Sequence, residues 1–399
     1  MLLSISLLLT PLLLTASLIS ASPAPKGPKH PSPRGFGTFS NLTIFTPPSN
    51  YTDPRVLYAR TTLIPSTNTL LATWENYSPE PPIVSFPIYR STDGGESWTE
   101  ISRVTDTQNN WGLRYQPDLY VLPQPIGDFP AGTILCAGNS IPTDLSQSQI
   151  DLYASTDDGA TWTFLSHIAA GGEARPNNGL TPVWEPFMMV YQDTLIMYYS
   201  DQRDPAHGQK LVHQTSTDLL TWADPVDDVS YAEYTARPGM PTVSQLPDGR
   251  YLYTYEYGGG PGFDTYSFPV YYRINADPLD FFNAPEHALV VAADGTRPTG
   301  SPYNVWMDVG GGCKDGAIVV SSGSHSEVFV NRALGREDAW EMVSTGEKIS
   351  YTRHLRAMKE RGHLLIMGGG VLPPSETNVI SVGVMDLKAA LKGKKQGGR

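Results

Sequence analysis

An octapeptide that returns at a fixed interval constrains this chain more than any other feature. Ser91-Thr92-Asp93-Gly94-Gly95-Glu96-Ser97-Trp98 comes back as Ser155-Thr156-Asp157-Asp158-Gly159-Ala160-Thr161-Trp162 and, eroded, as Ser216-Thr217-Asp218-Leu219-Leu220-Thr221-Trp222. Its Asp recurs at an interval of about sixty residues, so a chain of 399 holds roughly six stacked units. Asp followed by Gly suits a tight turn, because Gly takes positive φ freely and the carboxylate accepts nearby backbone N–H groups. The Trp that follows is placed to fold back over that turn. The flanks Ile88-Tyr89-Arg90 and Asp151-Leu152-Tyr153-Ala154 alternate apolar and polar as strands do, which makes each copy a hairpin turn. Ala276-Asp277-Pro278-Leu279 keeps the interval and reads as a fourth, worn copy. No long helical period appears.

The octapeptide resembles the Asp-box, or bacterial neuraminidase repeat, which marks the turn between the third and fourth strands of a β-propeller blade. The resemblance implies an all-β, six-bladed β-propeller in which the boxes serve structure, since repeats found in every blade cannot each be an active site. The propeller is expected over residues 39–387. Residues 1–21 carry an apolar run followed by small residues, the outline of a secretory signal peptide, which makes the protein extracellular. Residues 22–38 are Pro-rich and read as a linker, and 388–399 form a basic, Gly-rich tail expected to be disordered. Asn41-Leu42-Thr43 and Asn50-Tyr51-Thr52 are N-glycosylation acceptors, with Asn76-Tyr77-Ser78 a weaker third before Pro79.

A net charge of −12 argues against nucleic acid or an anionic membrane as partner. The two cysteines, Cys136 and Cys313, make no disulfide framework and no metal site, although one bridge between them is open; neither cofactor nor metal is implied, and a monomer is expected. The 21 Tyr and 8 Trp suit a neutral sugar, whose C–H faces pack on aromatic planes, but aromatics also fill β cores.

Propellers bind ligands at one mouth of the central channel, so acids in unusual company near the inner strands are the candidates. Glu185 is a lone acid in the apolar run Thr181-Pro182-Val183-Trp184-Glu185-Pro186-Phe187-Met188-Met189, where burial would hold its proton, as a general acid needs. Glu256 ends the run Tyr251-Leu252-Tyr253-Thr254-Tyr255-Glu256-Tyr257, where hydroxyl donors would favour an ionised nucleophile. Glu185 is therefore read as acid/base and Glu256 as nucleophile, with the exchange of roles left open.

Trp184-Glu185-Pro186, Tyr255-Glu256-Tyr257-Gly258, Trp74-Glu75-Asn76-Tyr77-Ser78 and Ser350-Tyr351-Thr352-Arg353 resemble the fungal exo-1,5-α-L-arabinanases of glycoside hydrolase family 93, over nearly all of residues 39–387. The resemblance implies a secreted, retaining enzyme that cuts linear 1,5-α-L-arabinan, a pectin side chain, from its non-reducing end and releases arabinobiose. It places the family carboxylates on Glu185 and Glu256 and a functional tyrosine on Tyr351, expected to donate a hydrogen bond to the nucleophile. Around them Arg60, Tyr115, Asn178, Trp184, Arg237, Ser301, Tyr303 and Arg353 are expected to contact the sugars, and loops over 76–86, 201–209 and 258–268 to wall off one side of the cleft. The alternatives are a sialidase, whose Tyr/Phe-Arg-Ile-Pro start is replaced here by Leu57-Tyr58-Ala59-Arg60-Thr61, and a non-catalytic carbohydrate-binding propeller.

Overall fold

The computed structural model describes residues 37–310 and 315–397. Its 24 strands form six four-stranded antiparallel sheets, each sheet one blade. Blades one to five are built from consecutive strands, and their innermost strands are Val56–Ile64, Leu113–Val121, Val183–Tyr191, Arg237–Gln245 and Tyr303–Asp308. The sixth is closed by the other end of the chain: His354–Ala357, His363–Gly368 and Ile380–Asp386 are completed by Phe39–Phe45, with Phe39 opposite Val384 and Phe45 opposite Ile380.

Stacking blade on blade buries both faces of a strand, so the second strands read as apolar runs rather than as alternations. Thr69–Asn76, Ile134–Ser140 and Gly316–Ser321 are buried at every position, whereas the outer strand Thr99–Val104 is largely open. The core is accordingly shared between neighbours: Leu135, Ile150 and Leu152 of the second blade pack with Met188, Met197 and Val212 of the third. Cys136 is buried in the second blade, and Cys313 lies outside the described residues, as do residues 1–36 with the signal-peptide outline and most of the linker.

Two expectations are corrected here. The tail is not disordered from 388: Leu387–Gly397 is an α-helix, because Leu387 and Leu391 fall one turn apart and both bury against the fifth and sixth blades. Asn76 is buried with its amide nitrogen, which leaves no room for a glycan on it in the fold, while Asn41 and Asn50 are exposed.

The octapeptides do sit between third and fourth strands. Ser91 Oγ accepts the Gly95 N–H at 2.9 Å and Asp93 Oδ1 that of Ser97 at 3.0 Å, and Ser155 and Asp157 repeat the pattern on Gly159 and Thr161. Only Trp98 folds back on its own turn, to Gly95 O; Trp162 and Trp222 reach the preceding blade instead and donate to Ser102 and Ser166. A turn the sequence pattern missed follows Val328–Asn331, where Asn331 Oδ1 takes the N–H groups of Ala333 and Gly335 in place of the Ser and Asp.

Ser166 is buried and binds the next blade twice, accepting from Trp222 Nε1 at 2.9 Å and donating to Leu219 O at 2.8 Å. Ser166→Ala strands both partners, and a loss of about 1–3 kcal/mol is expected. Chemical denaturation should show it as a lower midpoint at unchanged activity, and an unshifted midpoint would mean the boxes do not fasten the blades.

Candidate active site

The site is built on a ring of backbone irregularities. In each blade a non-glycine residue in the inner strand, or two residues before it, takes a left-handed conformation: Tyr58 (φ 52°), Gln116 (57°), Glu185 (61°), Met240 (60°), Ser301 (40°) and Thr352 (53°). Such residues cost about 1–3 kcal/mol each and persist where surroundings over-determine them. Here the determinant is a chain of hydrogen bonds from blade to blade. Gln116 N donates to Glu75 Oε1 at 2.9 Å, Glu185 N to Gln116 Oε1 at 3.0 Å, Met240 N to Glu185 Oε2 at 2.7 Å, Ser301 N to Glu256 Oε2 at 2.6 Å and Thr352 N to Ser301 Oγ at 3.0 Å.

This ring places the two carboxyls. Glu185 stands on the bulge of the third blade's inner strand and also accepts the Ser200 hydroxyl at 2.6 Å; Glu256 comes from the second strand of the fourth blade. Both flank Gly239: a Cβ there would stand 3.3 Å from Glu185 Oε2 and 3.5 Å from Glu256 Oε1, so these oxygens are no further apart than the two distances laid end to end. Burial raises both pKa values. Glu185 is opposed by Ser200 and the Met240 N–H, whereas Glu256 is pushed up to about 8 by burial and then by the Glu185 charge, against one N–H from Ser301. The donors that face these acids are not their sequence neighbours: the Tyr255 hydroxyl near Glu256 turns to Tyr231 and Glu286, and the two donors on Glu185 come from other strands.

Arg237 adds a cation held by neutral groups. Its guanidinium donates to Asn178 Oδ1 at 2.7 Å, Gln202 Oε1 at 2.9 Å and Gln209 Oε1 at 2.8 Å, while the charges of Glu185 and Glu256 both act on it. Gln202 also accepts from Trp184 Nε1 at 2.9 Å. Trp184 continues a row of aromatic rings, with Tyr115 at 6.5 Å and Tyr77 a further 6.1 Å along, along the side of the mouth toward the first blade.

The structure thus gathers Glu185, Glu256, Trp184, Tyr115, Asn178 and Arg237, and brings Ser301 in through its N–H. Tyr351 lies in the field of both carboxylates and packs with Leu57, Tyr58 and Met240, yet among the described residues its hydroxyl donates to neither acid, so the expected bond to the nucleophile is absent. Three expected sugar contacts fall elsewhere. Arg353 is buried and turns outward to the Ser326 and Glu327 carbonyls. Arg60 stacks over Tyr58 at 4.0 Å and donates to Thr352 O at 3.2 Å, bracing the ring from beneath. Tyr303 packs on His354 and faces a cavity of about 890 Å³ at the opposite ends of the inner strands. Sequence reasoning missed Gln116, Ser200, Gln202 and Gln209, which have no local signature, and Glu75, which has one: Trp74-Glu75 repeats the aromatic–Glu pattern of Tyr255-Glu256.

Two buried carboxyls that share a pocket and differ in their hydrogen-bond donors are what the hydrolysis of a glycosidic bond requires, and with the six-bladed frame they make this chain a propeller glycoside hydrolase. No protein-family model and no curated protein matches it, but solved structures do. An α-L-arabinofuranosidase of Fusarium graminearum, solved with an iminosugar inhibitor, is 57% identical over 89% of this chain and 99% of its own, with a TM-score of 0.87. An α-L-arabinanase of Penicillium chrysogenum complexed with arabinobiose is 56% identical over the same shares, with a TM-score of 0.86. The Fusarium enzyme was also solved, as a family 93 glycoside hydrolase, with arabinobiose, and at such identity the chain belongs to glycoside hydrolase family 93. The NanB sialidase of Streptococcus pneumoniae, 9% identical with a TM-score of 0.56, shares the fold.

Proposed function

We propose that this protein is a secreted exo-acting arabinanase that removes arabinobiose from the non-reducing end of linear 1,5-α-L-arabinan with retention of configuration. The observation that carries the reading is the buried carboxyl pair around Gly239, close together and unequally served, with two donors on Glu185 and one on Glu256. The arabinobiose bound by both family relatives gives the sugar, and the apolar N-terminal run followed by small residues supports secretion.

Retaining enzymes set their acids about 5–5.5 Å apart, inverting ones about 6.5–9.5 Å; the upper bound set around Gly239 admits the former and excludes most of the latter range. Glu185, ionised, attacks the anomeric carbon; the C1–O bond breaks, and Glu256 gives its proton to the departing oxygen. Water then adds to C1 as the Glu185 ester bond breaks, and its proton passes to Glu256, which restores both groups. Arg237 and Asn178 offer N–H donors to sugar hydroxyls, and the row Trp184, Tyr115 and Tyr77 offers a stacking face. Release of two sugars at a time requires one side of the mouth to be closed. The segment 76–86 is pinned for this by Glu80, which takes Arg114 at 3.0 Å and Thr143 at 3.0 Å, and 258–268 by Tyr266, which donates to Thr235 O.

A time course on linear arabinan, followed by chromatography and by NMR of the new anomeric centre, tests the reading. Arabinobiose from the first minutes in the α configuration is expected. An early ladder of mixed oligomers would remove the exo assignment, and β product would remove retention.

A further inference from the structure

A third acid, Glu75, stands at the same mouth and takes no part in the steps above. Its place in the fold is that of Glu256. Glu75 pairs with Leu57, the residue before left-handed Tyr58, as Glu256 pairs with Gly239, the residue before left-handed Met240. The two acids sit in the first and fourth of six blades, across the channel from one another, and each accepts the N–H of the next blade's left-handed residue.

Beyond that point they diverge. Ser301 passes its contact on to Thr352, away from the reacting groups, whereas Gln116 passes it to the backbone of Glu185, and Glu185 Oε2 in turn receives the N–H of Met240. Glu75 is thus the first link of a chain that ends on the attacking carboxylate. Its other oxygen accepts the Tyr77 hydroxyl at 2.7 Å, which ties the same acid to the aromatic row. Burial pushes its pKa up to about 7 against these two hydrogen bonds. An acid so placed is costly as packing alone, and what the site gains from it is a strong acceptor for an amide on strained backbone.

We propose that Glu75 is a positioning residue: acting through Gln116, it fixes the left-handed backbone from which Glu185 reaches the anomeric carbon. The proposal rests on the reading of Glu185 as nucleophile. Misplacing a reacting group by about 1 Å costs about 100-fold, so Glu75→Ala and Gln116→Ala are each expected to lower kcat by about 10- to 100-fold on a linear 1,5-arabino-oligosaccharide. KM should change by less than about twofold, since the relay acts on the reacting geometry rather than on sugar binding. Glu75→Gln keeps an acceptor for the Gln116 N–H and should recover about tenfold of what Glu75→Ala loses. The double variant should be little worse than either single one, because both break one chain.

Strictly additive losses would overturn the relay. So would a raised KM at constant kcat, which would make Glu75 a sugar-binding group, or a Glu75→Ala enzyme within about twofold of the parent kcat. Should Glu75→Ala fail to fold, Gln116→Ala and Glu75→Gln carry the same comparison. A parent enzyme that leaves the oligosaccharide intact would overturn both this proposal and the arabinanase reading, whereas an active parent with unaffected variants overturns this one alone.

Discussion

Glu185→Gln and Glu256→Gln are each expected to cut arabinan turnover by about 1,000-fold or more, the largest effect of any single change in this protein. Gln is the informative replacement because it retains an oxygen for the N–H groups of Met240 and Ser301, so the left-handed backbone keeps its acceptors. Folding should not suffer: removing one of two buried, mutually repelling acids relieves the native state, and the melting midpoint should stay level or rise. The variants also separate the roles. The proposed mechanism needs Glu185 ionised, so activity is expected to fall as pH drops through its raised pKa; it needs Glu256 protonated, so activity is expected to fall again as pH climbs through about 8. Azide with an activated aryl substrate should rescue Glu185→Ala as an inverted glycosyl azide and Glu256→Ala as a retained one. The opposite stereochemistry would exchange the roles, and a Gln variant with a tenth of parental turnover would remove that acid from the catalytic pair.

Gly239→Ala is expected to be nearly as damaging, although it removes no functional group. The added methyl would stand 3.0 Å from Gln209 Nε2, 3.3 Å from Glu185 Oε2 and 3.5 Å from Glu256 Oε1. Gln209 can yield only by loosening its bonds to Pro238 O and Arg237, and the carboxyls only by spreading apart or losing the space between them to a carbon. A drop in kcat of about 100-fold is expected, from displacement of reacting groups by tenths of an ångström to about 1 Å. A structure of the variant and its kinetics check this together: an unmoved carboxyl pair with reduced kcat would mean that the methyl excludes substrate, and unchanged kinetics would show that the sugar does not use this space.

The architecture was legible because it is repetitive. One octapeptide carries the hairpin chemistry of a blade and its spacing counts the blades, so errors at single positions average out. Glu185 and Glu256 were legible for a different reason, as acids embedded in apolar and aromatic runs. The donors around the two acids were not legible, since Ser200, Met240 and Ser301 come from other strands or blades. Nor was the ring of left-handed residues: Tyr, Gln, Glu, Met, Ser and Thr share no side-chain feature, and what the last five share is an N–H bonded to the preceding blade. Arg353 was placed at the sugar through the motif Ser350-Tyr351-Thr352-Arg353, but its side chain turns outward to the Ser326 and Glu327 carbonyls.

The strand Phe39–Phe45 finds its partner in Ile380–Asp386, more than 300 residues along the chain. Because synthesis runs from the N-terminus, the first strand made is the last to be used, and until then the sixth blade has an open edge that another chain could pair with. Such a distant pairing makes for slow ring closure. This sets a waiting period during which the nascent chain must be kept from its neighbours, and a cut within residues 39–45 would make that exposure permanent while leaving every active-site residue in place.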